Sequence, residues 1–124
     1  MRDFFLSRIR SFKHAFSGLA YVSRTQKNAW IHTLATISVI LMAIWLQTTP
    51  TDFAILIITI GTVWTAEFIN TSLEAVVDLA SPEKHPLAKV GKDVGAAAVL
   101  IAAISSIIIG LIILGPALVG KLGL

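Results

Sequence analysis

Residues 94–119 read VGAAAVLIAAISSIIIGLIILGPALV, 26 positions without one Asp, Glu, Lys or Arg. A helix rises about 1.5 Å per residue, and about 20 apolar residues cross the roughly 30 Å of bilayer hydrocarbon. The stretch therefore predicts a transmembrane helix, and with it an integral membrane protein. Gly95, Ala96, Ala97 and Ala98 open it with small side chains that permit close helix–helix approach. Gly115-Pro116 marks its weakening end.

Two more apolar runs precede it. The uncharged part of the second, Phe53 to Ala66, is too short to span. To cross, that helix must continue through Glu67, Phe68, Ile69 and Asn70 to about Leu73, and it runs on to about Leu79 before Ser81-Pro82 ends it. The first run, from Ala29 to Leu46, holds His32 and several Thr and Ser residues but no full charge. Between the two, residues 47–52 (QTTPTD) read as a tight polar turn, in which Pro50 stops one helix and Thr51 or Asp52 caps the next. The expected spans are thus about 29–47, 53–73 continuing to about 79, and 94–119.

Composition agrees. The 124 residues are 56 % hydrophobic and only 14 % charged, where a soluble domain is about 25 % charged. The mean hydropathy is +0.83. The length allows one domain, and neither repeats nor low-complexity linkers divide it. There is no cysteine, which excludes disulfides, thiolate metal sites and cysteine nucleophiles.

Charge placement predicts orientation. Arg2, Arg8, Arg10, Lys13, Arg24 and Lys27 precede the first run, and Lys84, Lys89 and Lys92 fall in the segment 78–93. The 47–52 turn has no basic residue. By the positive-inside rule the N-terminus and the 78–93 loop are cytoplasmic, and the turn and C-terminus lie outside, with Lys121 alone opposing. Phe5, Ile9, Phe12, Phe16 and Leu19 recur at steps of three and four among basic residues, so residues 1–27 are expected to form an amphipathic helix in the membrane interface. No small-residue cleavage site follows the first apolar run, which argues against a signal peptide. No nucleic-acid partner is expected of so apolar a chain. The expected fold class is all-α: one surface helix and three transmembrane helices.

The chemical signal lies in the second span. At about 100° per residue, Glu74 and Asp78 fall within roughly 20° of Glu67, and Asn70 about 60° away. Three carboxylates and an amide line one helix face. A carboxylate inside a span costs a few kcal/mol or more, so it faces protein or water and is a functional candidate. Such a stripe suits two tasks. Near the aqueous end it can hold Mg²⁺, a hard cation that prefers oxygen ligands and arrives with substrate phosphates. Deeper, a desolvated carboxylate is fitted to take a proton from a substrate hydroxyl. The following loop supplies His85, Lys89, Lys92 and Asp93. Lys92 could neutralise phosphate charge and Asp93 support it; alone, each also reads as a topogenic lysine and a helix N-cap. A P-loop, a protein-kinase glycine loop and a zincin motif are all missing from the sequence. Two other classes can use an acidic stripe: a small ion or proton transporter, and a non-catalytic assembly subunit.

Residues 66–78, AEFINTSLEAVVD, and residues 89–100, KVGKDVGAAAVL, resemble the two signatures of the prokaryotic diacylglycerol kinase and undecaprenol kinase family. Residues 11–18, SFKHAFSG, and 28–32, NAWIH, are similar to its undecaprenol-kinase-type branch. The resemblance covers nearly the whole chain. It implies ATP-dependent phosphorylation of a membrane lipid alcohol, undecaprenol before diacylglycerol, at the cytoplasmic face of a bacterial cell membrane, by a homotrimer with Mg²⁺ as cofactor. It implies that Glu67 is the general base toward the lipid hydroxyl, with Asn70 beside it, and that Glu74 binds the metal of Mg-ATP. Asp78, Glu83, His85, Lys92 and Asp93 match positions around the nucleotide. Gln26 stands where many members carry a second metal-binding glutamate, an amide that can ligate without charge. An oligomer is also the physical expectation, since three helices cannot enclose a site for both substrates.

Overall fold

The chain folds as four helices and no strand among the described residues: α1 (Arg2–Thr25), α2 (Lys27–Leu46), α3 (Pro50–Ala80) and α4 (Pro86–Leu122). The computed structural model describes residues 1–123, the side chains of Arg2 and Asp3 aside. Helices α2, α3 and α4 are each long and apolar enough to cross a membrane. At about 1.5 Å per residue, α2 with its 20 residues matches the hydrocarbon thickness. Helices α3 and α4, with 31 and 37 residues, are longer than a bilayer requires.

The packing suits lipid rather than water. The side chains buried within the chain are few, and four of the six on α3 are polar: Leu56, Thr59, Val63, Glu67, Asn70 and Thr71. They recur at steps of three and four along one seam. The large aliphatic and aromatic side chains, among them Ile58, Ile69, Ile101, Ile107, Leu111 and Ile112, point outward. In lipid the hydrophobic effect does not drive helices together, so close packing and interhelical hydrogen bonds must. One such bond ties α2 to α3, Trp64 Nε1 donating to Thr36 Oγ1 at 3.1 Å. Hydroxyls within the helices donate back to the preceding turn, as Thr33 does to Ala29 and Thr59 to Ile55, so no water is needed to satisfy them. Gly95 brings α4 close onto α3: a Cβ built there would overlap Asn70 Oδ1.

The turns differ from the sequence reading in three places. Pro50 does not merely stop α2; it occupies the first turn of α3, where its missing N–H is no loss. The cap is Thr49, not Thr51 or Asp52: its Oγ1 accepts from the Asp52 amide at 3.1 Å and donates to the Asp52 carboxylate at 2.8 Å. Helix α2 ends instead at Gln47, whose left-handed backbone (φ 56°, ψ 47°) turns its N–H back to the last carbonyls. The stretch 78–93, read as a loop, is mostly helical. Only residues 81–85 lie outside the helices, because His85 Nδ1 accepts from the Leu87 amide and Pro86 follows as a helix-starting residue. Asp93 is therefore not the N-cap of α4. It sits two turns in and pairs with Lys89, four residues earlier. At the other end α4 runs through Pro116 to Leu122. Lys121, the basic residue on the wrong side of the charge pattern, donates to Trp45 O at 3.0 Å and lies 5.4 Å above the Trp45 ring. It caps the C-terminus of α2, where the helix dipole favours a cation.

Helix α1 is exposed along nearly its whole length. Phe5, Ile9, Phe12, Phe16 and Leu19 present an apolar face that the rest of the chain does not cover, and among the described side chains of α1 only Val22, at its last turn, is buried. A single extended residue, Gln26 (φ −95°, ψ 119°), separates α1 from α2.

Candidate active site

Helix α3 carries the site because its continuity past the hydrocarbon keeps Glu67, Asn70, Glu74 and Asp78 on one rigid element. Around them lie two chambers of unlike character. The first is a cavity of about 360 Å³ between α2, α3 and α4, and its polar lining is Gln26, Asn28, His32, Glu67, Asn70 and Glu74. The second is a cleft of about 660 Å³ at the 81–85 loop, lined by Asp78, Glu83, His85, Lys89, Lys92 and Asp93 among others.

In the cavity, Glu67 is the largest fully buried side chain, 1 % exposed. Its Oε2 has no hydrogen-bond partner and stands 3.8 Å from His32 Nε2, which is likewise buried and unpartnered. Asn70 donates through Nδ2 to Glu74 Oε1 at 3.1 Å, while its Oδ1, against Gly95, is buried without a donor. Native structures rarely leave buried polar atoms unpaired, and those left in a cavity are candidates to meet a ligand. Asn70 also lines an apolar groove of about 490 Å³ between α3 and α4, with Ile58, Gly61, Thr65, Ile69, Leu73 and Ala98.

The cleft is organised by paired charges. Lys92 Nζ lies 2.6 Å from Asp78 Oδ1, joining α4 to α3. That hydrogen bond holds the Lys92 ammonium above the ordinary lysine range. Lys89 and Asp93 form a second, exposed pair. The His85 ring is engaged through Nδ1 in capping α4.

The residues expected from sequence thus fall into two groups. Glu67, Asn70, Glu74 and Gln26 line the cavity; Asp78, Glu83, His85, Lys92 and Asp93 line the cleft. Among the described residues, no three His, Asp or Glu side chains cluster as a self-sufficient metal site. The donor set of the cavity is nevertheless of the hard-oxygen kind: the Glu74 carboxylate, oriented by Asn70, with the amides of Gln26 and Asn70. It fits a cation that takes its remaining ligands from substrate phosphates. His32 and Gly95 were missed as site residues. The signal for His32 was a lone imidazole in an otherwise uncharged span. Gly95 read only as a small residue, because the side chain it accommodates comes from another helix.

The sequence profile of the prokaryotic diacylglycerol kinase family matches residues 13–114. Over 109 residues the chain is 42 % identical to a diacylglycerol kinase of Synechocystis sp., covering 87 % of this chain and 62 % of that protein. It is 37 % identical over 109 residues to the undecaprenol kinase of Bacillus subtilis, covering 88 % of this chain and 89 % of that one. It is 32 % identical over 110 residues to the diacylglycerol kinase of Escherichia coli, covering 83 % and 90 %. A kinase family of this kind calls for a nucleotide, a lipid and in general a divalent cation. The chain belongs to the prokaryotic diacylglycerol kinase family, a family of membrane lipid kinases.

Proposed function

We propose that the chain transfers the γ-phosphoryl group of ATP to the hydroxyl of a membrane lipid alcohol, undecaprenol before diacylglycerol. The observation that carries this reading is the fully buried Glu67 in one cavity with Glu74, the two separated by seven residues of one helix. That spacing is about 10 Å. Glu67 takes the proton as the lipid oxygen forms its bond to the γ-phosphorus and the bond to the ADP oxygen breaks. Phosphoryl transfer asks for positioning and charge neutralisation more than covalent help. Lys92, held by Asp78, supplies a fixed positive charge at the cleft. Mg²⁺, when bound, would neutralise phosphate charge, and Glu74 with Gln26 would hold it. The acceptor's tail suits the apolar groove that Asn70 helps to line. The relation to the Bacillus subtilis undecaprenol kinase over most of both chains, with the 28–32 resemblance, supports undecaprenol as the first acceptor.

The N-terminus and the 81–85 loop face the cytoplasm in this reading, where ATP is, and three copies complete a shared site. The cleft is open on its solvent side, and α1 presents an apolar face that a lipid interface would cover. The deciding experiment presents radiolabelled ATP and Mg²⁺ to the purified protein in vesicles holding undecaprenol or diacylglycerol. Label in undecaprenyl phosphate supports the reading, label in phosphatidate alone moves the acceptor to diacylglycerol, and no labelled lipid sinks the kinase proposal.

A further inference from the structure

We propose that His32 is a positioning residue for Glu67: its Nε2–H engages Oε2 of the carboxylate and turns the other oxygen, Oε1, toward the acceptor hydroxyl. This rests on the reading of Glu67 as the base. The two groups come from different helices, α2 and α3, and meet at 3.8 Å. Both facing atoms are buried and neither has a partner. A separation of 3.8 Å is too long for a hydrogen bond, yet too short for a bridging water, which with two bonds of about 2.8 Å needs roughly 4.5–5.5 Å. A side-chain shift of about 1 Å closes it to a charge-assisted bond. Hydrogen bonds of catalytic groups are often long without substrate and tighten with it.

The surroundings hold the imidazole for this task. Its ring meets Trp64 edge-on, centroids 6.0 Å apart at 68°. Trp64 is in turn anchored by its bond to Thr36, one turn along α2 from His32. The main chain of Glu67 is tied as well, its carbonyl accepting from Thr71 Oγ1 at 2.9 Å. What is left free is the carboxylate's own rotation. A carboxylate that turns freely presents either oxygen, whereas one with Oε2 held presents Oε1. The His32 proton itself is not transferred. The hydroxyl proton ends on Glu67, the new P–O bond forms at the lipid oxygen, and ADP leaves with the electrons of the broken bond.

The test compares a donor-free and a donor-retaining substitution, alone and with Glu67→Gln, on the full-length protein in vesicles. His32→Phe is expected to lower kcat about tenfold or more with KM for ATP and lipid changed less than about twofold. His32→Gln, whose amide N–H can reach the same oxygen, recovers most of the loss. The double variant His32→Phe/Glu67→Gln is no slower than Glu67→Gln alone, because no base remains to be positioned. Should the Phe variant fail to assemble, His32→Met serves as the donor-free form. Near-normal turnover in the donor-free variant overturns the proposal and leaves the Glu67 reading intact. So does a Gln variant as slow as the Phe one, which makes the ring's packing the whole effect, or losses that multiply in the double variant. Near-normal turnover of Glu67→Gln alone overturns the base assignment, and the role of His32 with it.

Discussion

The cavity around Glu67 and the cleft around Lys92 share one helix, with Glu67 and Asp78 eleven residues apart on α3, yet they treat charge in opposite ways. In the cavity three polar atoms, on His32, Glu67 and Asn70, are buried and have no partner. In the cleft the charges are exposed and paired with one another, Lys92 with Asp78 and Lys89 with Asp93. A buried group without a partner is energetically expensive, so its placement must be held by the rest of the fold. Exposed pairs contribute little to stability and exchange partners readily. The difference teaches which chamber can discriminate and which can merely attract. On the proposed reading, geometry is fixed and one atom counts in the buried cavity, while in the exposed cleft a field of charge suffices to gather a polyanion.

The contrast breaks first, if it is wrong, at Glu67. Glu67→Gln keeps shape and removes the proton acceptor; kcat is expected to fall by at least about a hundredfold, within the usual contribution of a general base, while binding of Mg-ATP persists. Retained turnover in the purified variant would make the buried stripe purely structural. Next in size is Glu74→Gln, expected to raise the Mg²⁺ concentration for half-maximal rate about tenfold. An unchanged requirement removes Glu74 from the metal. Lys92→Met tests the surface half: KM for ATP rises several-fold, and the defect shrinks as salt is added, because screening already weakens an exposed charge. The loss in Glu67→Gln should show no such salt dependence. The hydrogen bond to Asp78 raises the Lys92 pKa, so the pair's contribution is fully present below the ordinary lysine value of 10.5 and is lost only as pH rises beyond it. A rate that fell off near neutral pH for want of the Lys92 charge would contradict this. Gly95→Ala puts a methyl against Asn70 Oδ1 and should destabilise the assembled protein by about 1–3 kcal/mol in a thermal or denaturant assay, as overpacking does. An equally stable variant would mean that α3 and α4 yield easily. The smallest effect is expected of Gln26→Glu, a lowering of the Mg²⁺ requirement by a few-fold with activity kept.

Much of this was legible in the sequence, and for identifiable reasons. The uncharged run 94–119 could only be a buried or membrane helix, and the periodicity that puts Glu67, Glu74 and Asp78 on one face is a property of any α-helix. The two-chamber division was only half visible. Spacing along α3 ordered the carboxylates by depth, but the walls come from other helices, and one sequence does not say which residue of α2 stands opposite Glu67. His32 was passed over on that account. Turn chemistry misled in a different way. Pro50 signals a boundary equally well as the end of one helix or the start of the next, and the Thr49 side chain, not the proline, decides between them. Likewise the charges of residues 86–93 read as a loop because they cannot enter lipid, although a helix is free to continue above it.

The unbroken course of α3 has a last consequence. Because no turn or kinked loop intervenes between Glu67 and Asp78, the helix acts as a ruler about 16 Å long, with the deep chamber at one mark and the surface cleft at the other. A ruler fixed in the protein measures height against the bilayer around it. In the proposed reaction, an alcohol would react when its hydroxyl floats level with the lower mark, whatever the length or branching of the tail beneath. On that reading membrane thickness becomes a setting of the enzyme, in the way that focal distance is a setting of a lens.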